Sequence, residues 1–305
     1  MENKKNLEGG RVLLTNRKFP QKESKKHIPC KFCKKKRAIF LRNIESPWMK
    51  RKFPLYFCKS CKSRFFKNIN NKKFLESVYA LIANTEKGYD LKFNISSSWV
   101  KQRRIIQKIL GKNPDSILDI GCKTGDFLMH FDNSFREGVE LSKKHAKIAK
   151  KRGLYIYNNF LEDINFKKKY EVVTAYAVLE HLDRHEKFMA QLKKIVRKKG
   201  LLVIMIPTSE CLKEKILTFF NKRWIMYSPP EHLNFYSKKY LDNYLSSQGF
   251  KLVYRYWSSG ENFNHFSNVP FIGNLFKKII NFMDNSFFNK IPIFDHMYSF
   301  YRKIN

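Results

Sequence analysis

The chain has 305 residues, of which 43% are apolar, and its formal net charge at pH 7 is +35. This apolar content supports a full hydrophobic core in one large domain or two smaller ones. No apolar run reaches the length of about 18 residues that spans a membrane, and the basic N-terminus lacks the apolar stretch of a secretory signal, so we expect a cytoplasmic protein without a transmembrane segment. The positive charge attracts polyanions such as RNA or anionic lipid, or it reflects a lysine-rich coding bias.

Two cysteine pairs dominate the N-terminal part of the chain. Residues 1–27 are polar and aperiodic, which predicts a flexible basic tail. Residues 28–70 form a separate unit with two C-x-x-C pairs. The paired residues are Cys30, Cys33, Cys58 and Cys61. Two such pairs direct four thiolates at one ion, so we expect a closed structural zinc site in a small zinc-ribbon-like unit, with unrelated pairs or an iron centre as the alternatives.

The rest of the chain alternates apolar runs with helical patterns. Helical periodicity predicts a connector over 71–112 that ends at Gly111. Strand candidates are Ser116–Ile120, 135–140, 154–157, 171–176, 201–206, 250–257 and His296–Lys303, and helix candidates are 124–132, 142–152, 184–198, 210–221 and 237–248. The alternation predicts an α/β domain over 113–305: Rossmann-like, with a mostly parallel seven-stranded sheet and helices on both faces. We expect an insertion at about 258–292, between two antiparallel final strands.

A glycine turn follows the first strand of this domain, in the sequence Asp119-Ile-Gly-Cys-Lys-Thr-Gly125. An acidic residue, Glu140, ends the next strand candidate. In such an arrangement the glycines allow the backbone to approach a nucleotide closely, and the acid binds the ribose hydroxyls. The dinucleotide fingerprint G-x-G-x-x-G is absent, which favours an adenosine ligand without phosphates, and S-adenosylmethionine (SAM) fits this description.

Two further segments carry a family resemblance. Leu179-Glu180-His181-Leu182 follows the fourth strand candidate, and Pro230-Glu231-His232-Leu233-Asn234-Phe235-Tyr236-Ser237 follows later in the chain. With the glycine turn, these segments resemble class I SAM-dependent methyltransferases of the group with V-L-E-H-L and P-E-H-L-N-F motifs. A four-cysteine unit ahead of such a domain is similar to methyltransferases of bacterial sugar and polysaccharide pathways.

The resemblance implies a set of SAM-binding residues. They are Asp119, Gly121, Cys122, Gly125, Glu140, Asn159, Phe160 and Glu180. The turn is expected to lie beneath the methionine part, Glu140 to bind the ribose, and Asn159 with Phe160 to flank the adenine. Two positions depart from the family pattern: Lys123 replaces the middle glycine of the turn, and Asn159 replaces the usual Asp.

Methyl transfer needs a positioned nucleophile and a group that removes its proton. His181 and His232 are the candidate bases, because a neutral imidazole near pH 7 suits this task. The alternative is structural: His181 caps the following helix or holds Glu180, and His232 fixes its loop. Aromatic residues near His232, including Trp224 and Tyr227, either stack on a substrate or form a hydrophobic lid.

We therefore predict a SAM-dependent methyltransferase with structural zinc, acting on a small-molecule or glycan-linked acceptor such as a nucleotide sugar. There are two alternatives. The first is an RNA methyltransferase that binds RNA through the basic zinc unit, and the second is a SAM-fold binding protein that has lost catalytic activity. Residues 271–283 form a basic amphipathic stripe that predicts either a weak peripheral membrane contact or packing on the domain.

Overall fold

The computed structural model describes residues 27–67, 96–182, 185–258 and 287–304. Most of the predicted tail, the first part of the connector and most of the insertion, including the stripe 271–283, lie outside the described residues. The interpretations made for those segments stay predictions. No helix in the four described ranges is long and apolar enough to cross a membrane.

A four-stranded antiparallel sheet forms the N-terminal unit. In spatial order its strands are β1 (Ala38–Glu45), β2 (Lys52–Cys58), β3 (Arg64–Phe66) and β9 (Asn234–Phe235). The segment between the two cysteine pairs is the β1–β2 hairpin. The fourth strand comes from the second half of the chain, because β9 pairs with β3. The N-terminal unit and the following domain therefore share a sheet.

The larger sheet has seven strands. They are β4 (Ser116–Ile120), β5 (Phe135–Val139), β6 (Tyr155–Tyr157), β7 (Tyr170–Tyr176), β8 (Val196–Pro207), β10 (Phe250–Ser258) and β11 (His296–Lys303). Their spatial order is β6-β5-β4-β7-β8-β11-β10, and β11 runs antiparallel to the other six strands. All seven residues of β7 are buried, as expected for a parallel strand covered on both faces. The predicted Rossmann-like sheet is confirmed.

Five α-helices accompany the strands in the described part of the chain. They are α1 (Ser97–Leu110), α2 (Lys143–Lys151), α3 (His185–Ile195), α4 (Leu212–Phe219) and α5 (Lys238–Ser247). As predicted, α1 ends at Gly111, which adopts φ +77°. Ser237 caps α5 by accepting a hydrogen bond from the backbone N–H of Tyr240. Helix α3 ends at Ile195 and not at the predicted 198, because β8 begins at the next residue.

The prediction of a helix over 124–132 is wrong. Only a 3₁₀ turn, Leu128–His130, forms there, with one further helical hydrogen bond from Met129 N to Gly125 O. Arg152 explains part of the difference, because its guanidinium donates to the carbonyl oxygen of Thr124 (3.0 Å), which would be an acceptor within the first turn of such a helix. The apolar side chains of this segment are instead buried as a compact turn against the sheet.

A separate hydrophobic cluster packs the small sheet against the segment 211–233. It contains Ile44, Phe53, Leu55, Phe66, Cys211, Trp224, Tyr227, Leu233 and Phe235. Trp224 and Tyr227 are completely buried. These two aromatic residues therefore form the lid that was one of the two predicted alternatives, and they do not present a face to a substrate.

Candidate active site

The glycine turn after β4 has the tight, left-handed backbone that its sequence predicts. Gly121 has φ +73° and Gly125 has φ +81°. A Cβ atom added to Gly125 would lie 2.2 Å from Leu154 Cδ1, so no larger residue fits without rearrangement. Lys123 also adopts a positive φ of +48° although it carries a side chain. This conformation costs a non-glycine residue about 1 kcal/mol, so the replacement of glycine keeps the turn but strains it.

Glu140 holds the strained turn from the neighbouring strand. One of its carboxylate oxygens accepts a hydrogen bond from the backbone N–H of Lys123 (2.9 Å), and the other accepts one from Ser142 N (2.6 Å). Only 8% of Glu140 is exposed. Glu140, the residue predicted to bind the ribose, therefore lies at the edge of the sheet formed by the carboxyl ends of its strands, directly beside the turn.

Asp119 lies beneath the same turn. Its Oδ1 accepts a hydrogen bond from Thr174 Oγ1 (2.6 Å). Burial raises the pKa of Asp119 to about 7, and the nearby carboxylate of Glu140 adds to the increase. The side chain of Cys122 faces the sheet, since a Cβ on Gly138 would lie 2.4 Å from its Sγ. A ligand contact at Cys122 would therefore use its backbone.

The loop after β6 lies next to Glu140. Asn159 is exposed, and its Oδ1 accepts a hydrogen bond from Phe160 N (2.8 Å). Its neighbour Asn158 donates from Nδ2 to the carbonyl oxygens of Glu140 (2.6 Å) and Leu141 (3.1 Å). Sequence reasoning missed Asn158, although its position directly after a short strand places an amide donor at the rim.

Glu180, which is buried, forms a cluster beyond β7 with His181 and His232, which are half-buried. One ligand atom from each residue lies within 4.8 Å of the other two. The centroids of the two imidazole rings are 4.9 Å apart. His181 Nδ1 lies 2.8 Å from the carbonyl oxygen of Glu231, and His232 Nδ1 lies 2.9 Å from that of Met226. A carbonyl only accepts, so each Nδ1 carries the proton and each neutral ring presents the lone pair of Nε2.

Burial sets the protonation states of this cluster. It lowers the pKa of His181 and of His232 to about 4, with a smaller contribution to His181 from His232. Burial also raises the pKa of Glu180 to about 8. Lys123 contributes to the lowered pKa of His181, which places the cluster near the glycine turn. Both histidines are therefore neutral at pH 7 and lie on the same rim as the predicted SAM residues.

A surface pocket of about 710 Å³ lies elsewhere in the protein, along residues 162–169 and the C-terminal half of α3. None of the predicted catalytic, SAM-binding or metal-binding residues lines it. The glycine turn and the histidine cluster therefore lie outside this pocket.

The four cysteine thiols meet as the sequence predicts. Cys30 Sγ is 3.7 Å from Cys61 Sγ, and Cys33 Sγ is 3.6 Å from Cys58 Sγ. A tetrahedral ion with metal–sulfur bonds of about 2.3 Å places its sulfur ligands about 3.8 Å apart, so the thiols fit such an ion. Each pair forms the same knuckle: the residue after its second cysteine, Lys34 or Lys62, has φ of +60° or +64°.

Comparison with known proteins identifies the family of the domain that contains the glycine turn and the histidine cluster. Residues 99–255 match the family described as Methyltransferase domain, which is just over half of the 305 residues. The chain belongs to this family. The predicted resemblance to class I SAM-dependent methyltransferases is confirmed. The match includes the glycine turn, Glu140 and the histidine cluster, and it excludes the four cysteines.

Several individual proteins are similar to this methyltransferase. An uncharacterised protein of Methanocaldococcus jannaschii is 30% identical over 137 residues, which cover 45% of this chain and 64% of that protein. A demethylmenaquinone methyltransferase of Thermotoga maritima is 23% identical over 145 residues, covering 44% and 62%. The chain spans less than two thirds of each relative. The crystal structure of a SAM-dependent methyltransferase from Archaeoglobus fulgidus is 17% identical, with a TM-score of 0.48 over 74% of this chain and 99% of that one.

The cysteine unit contacts the methyltransferase domain on both sides of the histidine cluster. Lys31 Nζ donates to the carbonyl oxygen of Leu182 (3.3 Å), just after His181. Phe66 N donates to Leu233 O (3.0 Å), just after His232. Asn234, which sequence reasoning missed, is fully buried and donates from Nδ2 to the carbonyl of Leu182 (2.6 Å). The cysteine unit and β9 thus hold the two segments that carry the histidines.

Proposed function

We propose that this protein transfers the methyl group of SAM to a small-molecule acceptor. The observation that carries the proposal is the turn at the carboxyl rim, where the left-handed backbone of Gly121 and Gly125 and the carboxylate of Glu140 meet within a methyltransferase domain. Bound SAM supplies a methyl group already activated by its sulfonium. The chain has to bind it, exclude water and orient an acceptor.

Each predicted SAM residue has a defined task in this proposal. Each oxygen of Glu140 accepts one backbone hydrogen bond, which orients the carboxylate, and we expect it to accept the ribose hydroxyls as well. The turn from Asp119 to Gly125, including the backbone of Cys122, would cradle the methionine part. Asn159 and Phe160 would flank the adenine from the exposed loop after β6. Glu180 would be a structural or SAM-side hydrogen-bond partner.

The neutral histidines would act on the acceptor. The Nδ1–H of each ring is bonded to a carbonyl, which fixes the ring and turns Nε2 into its only basic nitrogen. His181 or His232 is therefore the proposed base for an acceptor hydroxyl or amine. Their lowered pKa keeps them unprotonated at physiological pH, although it also weakens them as bases.

The proposed acceptor is small or glycan-linked, with a nucleotide sugar as the specific candidate. RNA is the second candidate, and the observation that favours it is the net charge of +35. A salt titration of RNA binding separates the two. Affinity that falls steeply with salt from a nanomolar value would favour RNA, and weak binding at physiological salt would favour the small acceptor.

The four thiols are proposed to hold one structural zinc ion. Their spacing fits tetrahedral sulfur ligation, and the unit of 28–70 is too small for an independent core. The cytoplasm is the proposed location, because these thiols must stay reduced to bind the ion. Changing Cys58 to Ser is expected to remove one equivalent of zinc, measured by elemental analysis.

Replacement of Glu140 tests the proposed cofactor site. In Glu140→Ala, loss of the ribose acceptor is expected to weaken SAM binding by about 10- to 100-fold, the cost of a charged hydrogen bond. Calorimetric titration with SAM measures it, and zinc content should not change. Glu162→Ala, which removes an exposed carboxylate from the nearby loop, is the control. Unchanged SAM affinity in a folded Glu140→Ala protein would contradict the proposal.

A further inference from the structure

The cluster of Glu180, His181 and His232 contains more ligand groups than a single proton transfer needs. One imidazole is sufficient for a general base. Here a second imidazole and a carboxylate lie within 4.8 Å of it. Glu180 is 1% exposed, and its Oε2 has no hydrogen-bond partner among the described residues. A buried carboxylate oxygen without a donor is costly, so its position beside two imidazoles requires an explanation.

The hydrogen bonds around the histidines match those of metal ligands. Imidazoles that bind a metal almost always donate their other ring N–H to a carbonyl or carboxylate, which fixes the ring and its tautomer. His181 and His232 both donate from Nδ1 to backbone carbonyls. Their Nε2 lone pairs and the Glu180 carboxylate together make a ligand set of two imidazoles and one carboxylate. Such a set binds divalent transition metals and leaves coordination positions open for other ligands.

We propose that Glu180, His181 and His232 bind a divalent transition-metal ion, such as Zn²⁺, Mn²⁺, Fe²⁺ or Co²⁺, at a second site distinct from the four thiols. The ion satisfies the carboxylate oxygen that has no other partner, and it joins two segments that are 51 positions apart. The softer thiolate site holds zinc more tightly, so the two sites differ in affinity and in preferred metal.

An ion at this site defines the acceptor more closely, and this step rests on the proposed methyl transfer. Three protein ligands leave positions that two adjacent oxygen atoms of a substrate can fill. The acceptor is then an oxygen nucleophile with a second oxygen donor beside it, such as a vicinal diol of a sugar or a hydroxyl next to a carbonyl. A bound ion would lower the pKa of that hydroxyl, so that its proton leaves to water and its oxygen bonds to the methyl carbon of SAM as the methyl–sulfur bond breaks. His181 and His232, as ligands, would then not act as bases.

Cobalt titration tests the metal site directly. The full-length protein is first loaded with zinc at the thiolates and freed of weakly bound metal by a mild chelator. Co²⁺ is then added, and its d–d absorption and binding heat are recorded. We expect one additional equivalent without the intense near-ultraviolet bands of thiolate ligation. Glu180→Gln and His232→Gln should each weaken that equivalent by about 10-fold or more.

His27→Gln provides the control, since this exposed histidine lies outside the cluster. Retained zinc and circular dichroism establish that the variants are folded. Absence of the additional cobalt equivalent, or binding that both cluster variants leave unchanged, would overturn the inference. SAM calorimetry on the same samples separates the two proposals: SAM binding without cobalt binding removes only the second metal site, and cobalt binding without SAM binding removes only the methyl-transfer proposal.

Discussion

The buried carboxyl of Asp119 offers a sharp test of the rim, through the substitution Asp119→Asn. Asp119 is 4% exposed and accepts a hydrogen bond from Thr174 Oγ1 at 2.6 Å. Burial raises its pKa from 3.8 to about 7. Asparagine has the same shape and stays neutral, so it mimics the protonated acid and can accept the same hydrogen bond. The folded protein should therefore tolerate Asn better than ionised Asp.

The magnitude follows from the pKa difference. Each pKa unit corresponds to about 1.36 kcal/mol, so a rise of about three units limits the effect to about 4 kcal/mol. Because the folded pKa is raised, unfolded Asp119 loses its proton before folded Asp119 does. The wild-type protein consequently loses stability as the pH rises from about 4 through about 7. The gain from Asp119→Asn should grow over this window and level off above it.

Urea unfolding of the zinc-loaded protein between about pH 5.5 and 8 measures the effect. The free-energy advantage of Asp119→Asn should increase by about 2 kcal/mol over this range. Asp132→Asn is the matched control, because the Asp132 side chain is 82% exposed and the same chemical change there should be nearly neutral. An advantage that does not vary with pH would refute the assignment of a buried, protonated Asp119. SAM affinity should fall in Asp119→Asn, as expected where a strained site trades stability for function.

Two other substitutions probe the glycine turn and the ion pair that joins β3 to α4. Gly125→Ala should lower SAM affinity by about 10-fold or more, because its Cβ would lie 2.2 Å from Leu154 Cδ1 at a φ of +81°; calorimetry showing normal affinity would argue against this turn as the SAM cradle. Glu214→Gln should lower the free energy of unfolding, measured by urea titration, by about 2–3 kcal/mol, because it leaves the largely buried Arg64 guanidinium without its carboxylate. Glu186→Gln, in an exposed pair, should cost under about 1 kcal/mol, and equal losses would contradict the argument.

The central strands β4 and β7 were predictable because each is a largely apolar run buried on both faces. Ser116–Ile120 and His296–Lys303 have the predicted bounds. The helix expected over 124–132 was not excluded by any local signal. Its apolar spacing is helical, but its side chains are buried through a turn whose first carbonyl is occupied by Arg152. Tertiary contacts of this kind override local periodicity.

In the candidate site, too, contacts between neighbouring elements were predictable from the sequence, and a contact that depends on a distant part of the chain was not. The glycine turn and Glu140 follow two neighbouring parallel strands, β4 and β5, so their proximity follows from the connection rules of parallel sheets. The contact between His181 and His232 depends on β9, which has only two residues and pairs with a strand from the N-terminal unit. A strand that short has no detectable pattern. Its partner is set by the fold as a whole.

The shared strand also connects the proposed zinc ion with the acceptor half of the site. The unit of 28–70 is too small to order itself, so the binding energy of a zinc ion would be its folding energy. Ordering β3 then provides the partner for β9, and Phe66 N bonds to Leu233 O at 3.0 Å. Leu233 N in turn donates to Glu180 O at 2.7 Å, one residue from each histidine. If the proposed functions hold, the four thiols are expected to influence methyl transfer indirectly, because the unit that they order pairs with β9 and so positions His232 against His181.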